Sequence, residues 1–181
     1  MINQLRRLRA GLRFMWLSFI GHLPSHVLRT FFYRRAGMTI GRRSYIYSGA
    51  EVRNPKGAVI GDDVIIGHHA VLDGRSGLHI GNNVNLSTGV WIWTVQHDHQ
   101  SETFASKGAP VKVGSNAWLS ARVIVLLGIE IGERAVVAAG AIVTKSLEAA
   151  GIYGGVPARK IGSRDISIKY QLGDTLPIPF I

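Results

Sequence analysis

The sequence predicts an all-β chain, a parallel β-helix of stacked triangular coils, and three observations predict it. Branched or long aliphatic residues recur every six positions from about residue 40 to residue 145. A second column of mostly small or β-branched residues lies four positions after them. Successive sets of three aliphatics mostly begin eighteen or twenty residues apart. A period of six is neither the helical period nor the alternation of a half-buried strand. It fits a short strand and a turn, repeated so that each aliphatic points to one interior line.

The coils can be written out in order. Ile40, Ile46 and Val52 open the series, and Ile60, Ile66 and Leu72 follow. Then come Ile80, Leu86 and Ile92, then Val113, Leu119 and Val125, and last Ile131, Val137 and Val143. The second column holds Ser44, Val64, Ala70, Val84, Val90, Ala117, Val123, Ala135 and Ala141. Val113 to Ile131 is eighteen residues, or three repeats. Ile40 to Ile60 and Ile60 to Ile80 are each twenty, so each coil needs a bulge at a corner, near Pro55 to Gly57 and near Gly74 to Gly77. Stacked coils would pair strand to strand at about 4.8 Å.

The period breaks once, in a loop from roughly His97 to Pro110. His97, Asp98, His99, Gln100, Ser101 and Glu102 stand in a row there. A polar excursion from a regular solenoid is a natural place for function.

Residues 1–37 read as a basic amphipathic helical segment, residues 38–162 as the repeat domain, and residues 163–181 as a tail. Residues 1–50 hold nine arginines and no Asp or Glu, so the net charge of +10 belongs to this end of the chain. The apolar stretch Leu12 to Leu23 is too short to span a bilayer, and Arg13 and His22 interrupt it. No small-residue cleavage site follows, so it does not read as a signal peptide. Phe14, Trp16, Leu17 and Phe19 beside arginines suit two roles, packing across the open end of the repeat domain or lying at an anionic membrane interface. No nucleic-acid partner is expected, because no known nucleic-acid-binding motif accompanies the arginines. The absence of cysteine excludes disulfides, thiol nucleophiles and thiolate metal sites.

Four further segments carry a resemblance. They are Thr94 to His97 (TVQH), Pro110 to Trp118 (PVKVGSNAW), Val136 to Lys145 (VVAAGAIVTK) and Gly154 to Arg159 (GGVPAR). With the repeat, over residues 38–162, the chain resembles the hexapeptide-repeat acyltransferases. It looks most like the maltose, galactoside and Nod-factor acetyltransferases and the capsule and colanic-acid O-acetyltransferases of bacteria. The resemblance implies a left-handed β-helix, a homotrimer, acetyl-CoA as co-substrate without a metal, and a sugar or glycan acceptor. Such acceptors are assembled at a membrane, which implies a cytoplasmic protein at its inner face. Some positions depart from the family. Leu126, Leu127 and Gly128 stand where a Pro-Gly corner is usual, and Ala149 and Ala150 where prolines are usual. A sugar-binding asparagine of the maltose and galactoside enzymes falls on Gly67 here, and an aspartate of theirs falls near Arg75. The acceptor pocket is therefore not simply theirs.

Acetyl transfer to a hydroxyl needs a base for the hydroxyl proton, a held thioester and donors for the oxyanion. Imidazole, with an unperturbed pKa of about 6.5, suits the base at neutral pH. His97 matches the catalytic histidine of the family. Asp98, its neighbour, and Asp73, from the preceding coil, are expected on the acceptor side, where either would orient the ring or contact the sugar. By resemblance, Ala121 and Ala139 offer backbone contacts to the pantetheine arm of CoA, and Trp118 lines the groove beside it. Thr144, Lys145 and Arg159 reach its phosphates, for which cationic side chains are suited. His68, His69, His79 and His99 read as exposed corner residues. N-acetylation of an amino sugar stays open, since the same base and donor site would serve it. A zinc site of the γ-carbonic-anhydrase type is the remaining alternative, although His97 and His99 are too close for that spacing.

Overall fold

A computed structural model describes residues 2–167 and 169–174. The repeat folds into a triangular prism of parallel strands, five coils and part of a sixth. The first face stacks Thr39–Ile40, Ala58–Ile60, Leu78–Ile80, Val111–Val113 and Glu130–Ile131. The second stacks Tyr45–Ile46, Ile65–Ile66, Asn85–Leu86, Trp118–Leu119, Val136–Val137 and Gly151–Gly154. The third stacks Glu51–Arg53, Val71–Asp73, Trp91–Ile92, Ile124–Val125 and Ile142–Val143.

The register puts like on like. Ile40 pairs with Ile60, Ile60 with Ile80, Ile80 with Val113, and Val113 with Ile131. The Ile46 and Val52 columns stack the same way on the other two faces. All fifteen aliphatics of the six-residue pattern are buried, and so is the whole second column. Each coil thus closes its apolar surface on its neighbours, and the ladder of side chains is the core. The two long coils bulge at the expected corners. Pro55–Gly57 forms a short 3-10 turn behind Asn54, whose φ is 49°. The chain turns again between Gly74 and Gly77.

The end helices, α1 (Ile2–Gly21) and α2 (His26–Arg35), cover the first coil. An uncovered β-helix end leaves a row of carbonyls without partners. Arg29, fully buried, donates its Nε to the Ile46 carbonyl at 2.8 Å and Nη1 to that of Leu23. Arg34 donates to Ile40 and Gly41, and the Tyr33 hydroxyl to Ala50 at 3.0 Å. Gly21 sits so close to Ala50 that a Cβ there would lie 2.2 Å from its carbonyl oxygen. Leu17 and Ile20 complete the apolar seal. So Arg29 and Arg34, read from sequence as part of a basic surface, serve the cap instead. Arg42 and Arg43 pair with Asp62 and Asp63 of the next coil. The uncommitted charge is concentrated on α1.

The far end is covered by Arg159–Ser163, which pairs antiparallel with Gly151–Gly154. The tail then runs back along one corner of the prism. Arg164 reaches the carbonyl of Asn116, Asn83 holds Tyr170 and Leu172, and Gln171 reaches Asp63. The tail expected over residues 163–181 lies partly outside the described residues.

Candidate active site

The repeat is interrupted by an ordered β-hairpin. Val95–His97 pairs antiparallel with Ser106–Gly108, so that His97 faces Ser106. The excursion expected from His97 therefore begins two residues earlier, and most of it stands exposed off the prism.

Its root is tied down by Thr94 and Asp73. Thr94 is buried; its hydroxyl donates to the Asp73 carbonyl at 3.0 Å and accepts from the amide of Ser76. Its amide donates to the Asp73 carboxylate at 3.0 Å. That carboxylate also takes the amide of Arg75 and both arms of its guanidinium. Burial alone would raise the Asp73 pKa, but the bonds from Arg75 and Thr94 outweigh it and hold the carboxyl below its usual range. This corrects the acceptor-side expectation for Asp73. A fully buried carboxylate with its lone pairs engaged is an anchor for the hairpin, and it has no face left for a sugar.

At the hairpin tip, Nδ1 of His97 lies 2.8 Å from the carbonyl oxygen of Phe104. A carbonyl only accepts, so in the neutral ring Nδ1 carries the proton and Nε2 keeps its lone pair. The Phe104 ring stacks on the imidazole, 4.0 Å between centroids and 11° between planes. The Ser106 hydroxyl stands 3.5 Å from Nδ1. The expectation that Asp98 orients the ring is corrected as well. Asp98 accepts from the amide of Gln100 and pairs with Lys107 at 3.5 Å, across the base of the tip. Its carboxyl is held low by these bonds, first the Gln100 amide. It remains half-exposed beside His97.

Phe104 and Ser106 were missed in the sequence. An aromatic residue alone in a polar loop, seven positions after a candidate base, is the signal that could have found Phe104. Trp91 and Trp93 were missed too. They meet edge to face on the outside of the third face, and Trp91 borders a cavity of 470 Å³ with His69, Thr88, Arg122 and Ile124.

The expected CoA residues divide between two corners. Backbone bonds run from Gly89 to His68, from Arg122 to Thr88 and from Gly140 to Ala121, which stacks these residues along the corner between the second and third faces. Ala121 and Ala139 therefore lie on one line, eighteen residues and one coil apart. Trp118 is half-exposed on the adjoining second face and donates to Ser87. The Ala158 amide bonds Ile142 and brings Arg159 towards that corner. Thr144 and Lys145 follow the last strand of the third face, at the corner from which the hairpin leaves two coils below. All but Ala121, which is half-buried, are exposed or close to it, so a ligand would lie along the outside of the prism. Among the described residues no group of three His, Cys, Asp or Glu is placed to hold a metal ion. His68 is turned to Ser48 and Tyr47, and His79 and His99 are exposed.

The model of the hexapeptide repeat of succinyl-transferase matches residues 57–93 and 110–145, and the unmatched stretch between is the hairpin. A curated protein of Escherichia coli, "Putative colanic acid biosynthesis acetyltransferase", is 32% identical over 136 residues, 75% of each chain. Among solved structures, a hexapeptide-repeat acetyltransferase of Vibrio cholerae superposes with a TM-score of 0.79 at 24% identity, covering 90% of this chain and 93% of that one. A maltose O-acetyltransferase of Clostridium difficile gives 0.65 at 24% identity, covering 77% and 76%. Fold and relatives define a β-helix acyltransferase. The chain belongs to the hexapeptide-repeat acyltransferases and is an acyl-CoA-dependent acetyltransferase.

Proposed function

We propose that the protein moves an acetyl group from acetyl-CoA to a hydroxyl of a sugar or glycan, with His97 as general base. The observation that carries this reading is the state of the His97 ring. It stands on an exposed hairpin, is fixed by Phe104, and among the described residues has no hydrogen bond at Nε2. Nε2 takes the proton of the acceptor hydroxyl as its oxygen attacks the thioester carbonyl. The tetrahedral intermediate then collapses, and the departing CoA thiolate takes the proton back from the imidazolium. No protein nucleophile takes part.

The pantetheine arm of acetyl-CoA would follow the line from Ala139 past Ala121 towards Thr88 and Trp91. Trp118 would flank it, and Thr144, Lys145 and Arg159 would meet its phosphates. Trp91 and Trp118, each about two-fifths exposed, suit burial against further copies, and the assembly is a homotrimer on this reading. The E. coli relative is named for colanic acid biosynthesis, which supports a glycan acceptor.

The acceptor would be met at a membrane surface. No described helix is long and apolar enough to cross a membrane. Yet Leu5, Leu8, Leu12, Met15, Trp16 and Phe19 form an exposed stripe on one side of α1. Arginines flank it, and residues 1–50 carry no acid to oppose them. That pairing of charge and apolar surface fits an anionic bilayer.

The test is a panel of sugars, with free thiol and acetylated product measured together. Acetylation of hydroxyl sugars above amino sugars is the expected outcome. Transfer to amino groups alone would replace this reading with N-acetylation.

A further inference from the structure

The cap and the third face border an open cavity of 620 Å³ near the root of the hairpin. Arg9, Arg13 and Phe14 of α1 line one wall, and Arg53, Asn54 and Arg75 of the first two coils line the other. We propose that this cavity binds the diphosphate of a phosphorylated sugar, and so defines the acceptor as a sugar diphosphate ester. The proposal rests on the sugar-acetylating reading above.

Four arginines line one cavity, and among the described residues only two of them pair with a carboxylate. Arg53 pairs with Glu51 at 2.6 Å, and Arg75 pairs with the buried Asp73. Among the described residues no ion pair holds Arg9 or Arg13. Guanidinium forks match phosphate oxygens two at a time, and two uncompensated arginines suit a doubly charged group.

The site is also built around its arginines. The Arg53 guanidinium lies 4.7 Å from the centre of the Trp93 ring and 5.9 Å from that of Phe14, so it bridges the hairpin root and α1. The Asp73 fork fixes Arg75. Such pre-ordered donors lose little freedom on binding.

Position supplies the last argument. Trp93 and Thr94 lead directly into the strand that ends at His97. A diphosphate held by Arg9 and Arg13, against the wall that Arg53 and Arg75 form, would leave its attached sugar beside the hairpin that carries the base. The shared chemistry has two sources, a soluble nucleotide sugar or a lipid-linked sugar diphosphate. The apolar stripe on the same helix favours the second.

Calorimetry on the full chain with inorganic pyrophosphate tests the site. The Arg9→Gln/Arg13→Gln protein should bind pyrophosphate roughly tenfold more weakly or worse, since it loses two charge-assisted contacts. The Arg6→Gln/Arg7→Gln protein loses the same charge outside the cavity and should bind like wild type. Equal weakening in both, or sulfate binding as tightly as pyrophosphate, would reduce the site to a diffuse basic surface and overturn the proposal. With a sugar diphosphate as acceptor, KM should rise in the Arg9/Arg13 variant while kcat holds; an unchanged KM overturns it as well. Competition by UDP-glucose assigns the soluble source. Binding only to neutral vesicles that carry a polyprenyl diphosphate sugar assigns the lipid one. Turnover of an uncharged sugar by the wild-type protein reports on the acetyltransferase reading separately.

Discussion

The imidazole of His97 lies flat on the ring of Phe104, and its Nδ1 faces the carbonyl of that same residue at 2.8 Å. One residue thus sets both the plane of the ring and its tautomer. Phe104 holds a left-handed φ of 51°, an uncommon backbone state for an aromatic residue. The tip is kept in shape by the Ser101 hydroxyl, which accepts from Ala105, and by the bond from the Asp98 amide to Ala105.

Phe104→Ala should lower kcat by about tenfold and leave acetyl-CoA binding unchanged. The carbonyl remains, but the stacked surface that fixes the ring is lost, and such aromatic contacts are worth about 0.5–1.5 kcal/mol. Steady-state kinetics with a fixed acceptor decides. A raised KM for acetyl-CoA at constant kcat would place Phe104 in the donor site instead.

Asp73→Asn should destabilise the fold by about 2 kcal/mol, a figure discounted because Arg75 is partly exposed. The pH dependence follows from the direction of its shift. The native carboxyl is held below its unfolded value, so its contribution is full above the unfolded carboxylate range. It is lost as pH falls through the native value. Melting curves from neutral to acidic pH should therefore converge for wild type and variant. Parallel curves at all pH values would show that Asp73 is not the ionised anchor described here.

The six-residue period made the prism legible because each aliphatic has one environment, the interior line. Ile40, Ile46 and Val52 announce their places without knowledge of any neighbour. His97 was singled out for a different reason, as part of a short motif at the break in the period. Phe104 and Asp73 were not. Their roles depend on a hairpin turn and on a contact with Thr94 across a coil, and no local pattern encodes either. The arginines of the cap misled for a related reason. Arg29 and Arg34 look like surface charge until the open carbonyls of Ile46 and Ile40 are in place to receive them.

Vesicle flotation should recover the protein with anionic liposomes and much less with neutral ones. Exchange of Leu8, Leu12 and Met15 for serine should abolish recovery, because these side chains are more than half exposed and stand outside the buried core. Equal recovery with both lipids would remove the electrostatic part of the reading. Unchanged recovery of the triple variant would remove the apolar part.

Lys145→Ala and Arg159→Ala should each raise KM for acetyl-CoA with kcat nearly unchanged. Each loses one charge-assisted phosphate contact, about 1.5–3 kcal/mol at most. Lys145 and Arg159 lie at different corners of the last turns, so a ligand that meets both must cross the third face or bridge two copies of the chain. Sedimentation should show three times the chain mass, and dilution that dissociates the trimer should lower CoA affinity in step.

His97→Ala is the decisive change. Removal of a positioned proton acceptor should lower kcat by about two to four orders of magnitude. Donor binding should survive, because Ala121, Ala139 and Arg159 stand at another corner from the hairpin and Thr144 and Lys145 lie two coils above it. The fold should survive too, since the His97 ring is exposed and its hydrogen bond and ring contact among the described residues lie within its own hairpin. His99→Ala should be much milder, as that side chain is exposed and makes no contact with the His97 ring among the described residues. The contrast separates a single base from a metal centre, in which both changes would abolish activity and metal analysis of the wild type would find zinc. Near-normal turnover by the His97→Ala protein, measured by acetylated product as well as by free thiol, would refute the role of His97 as base.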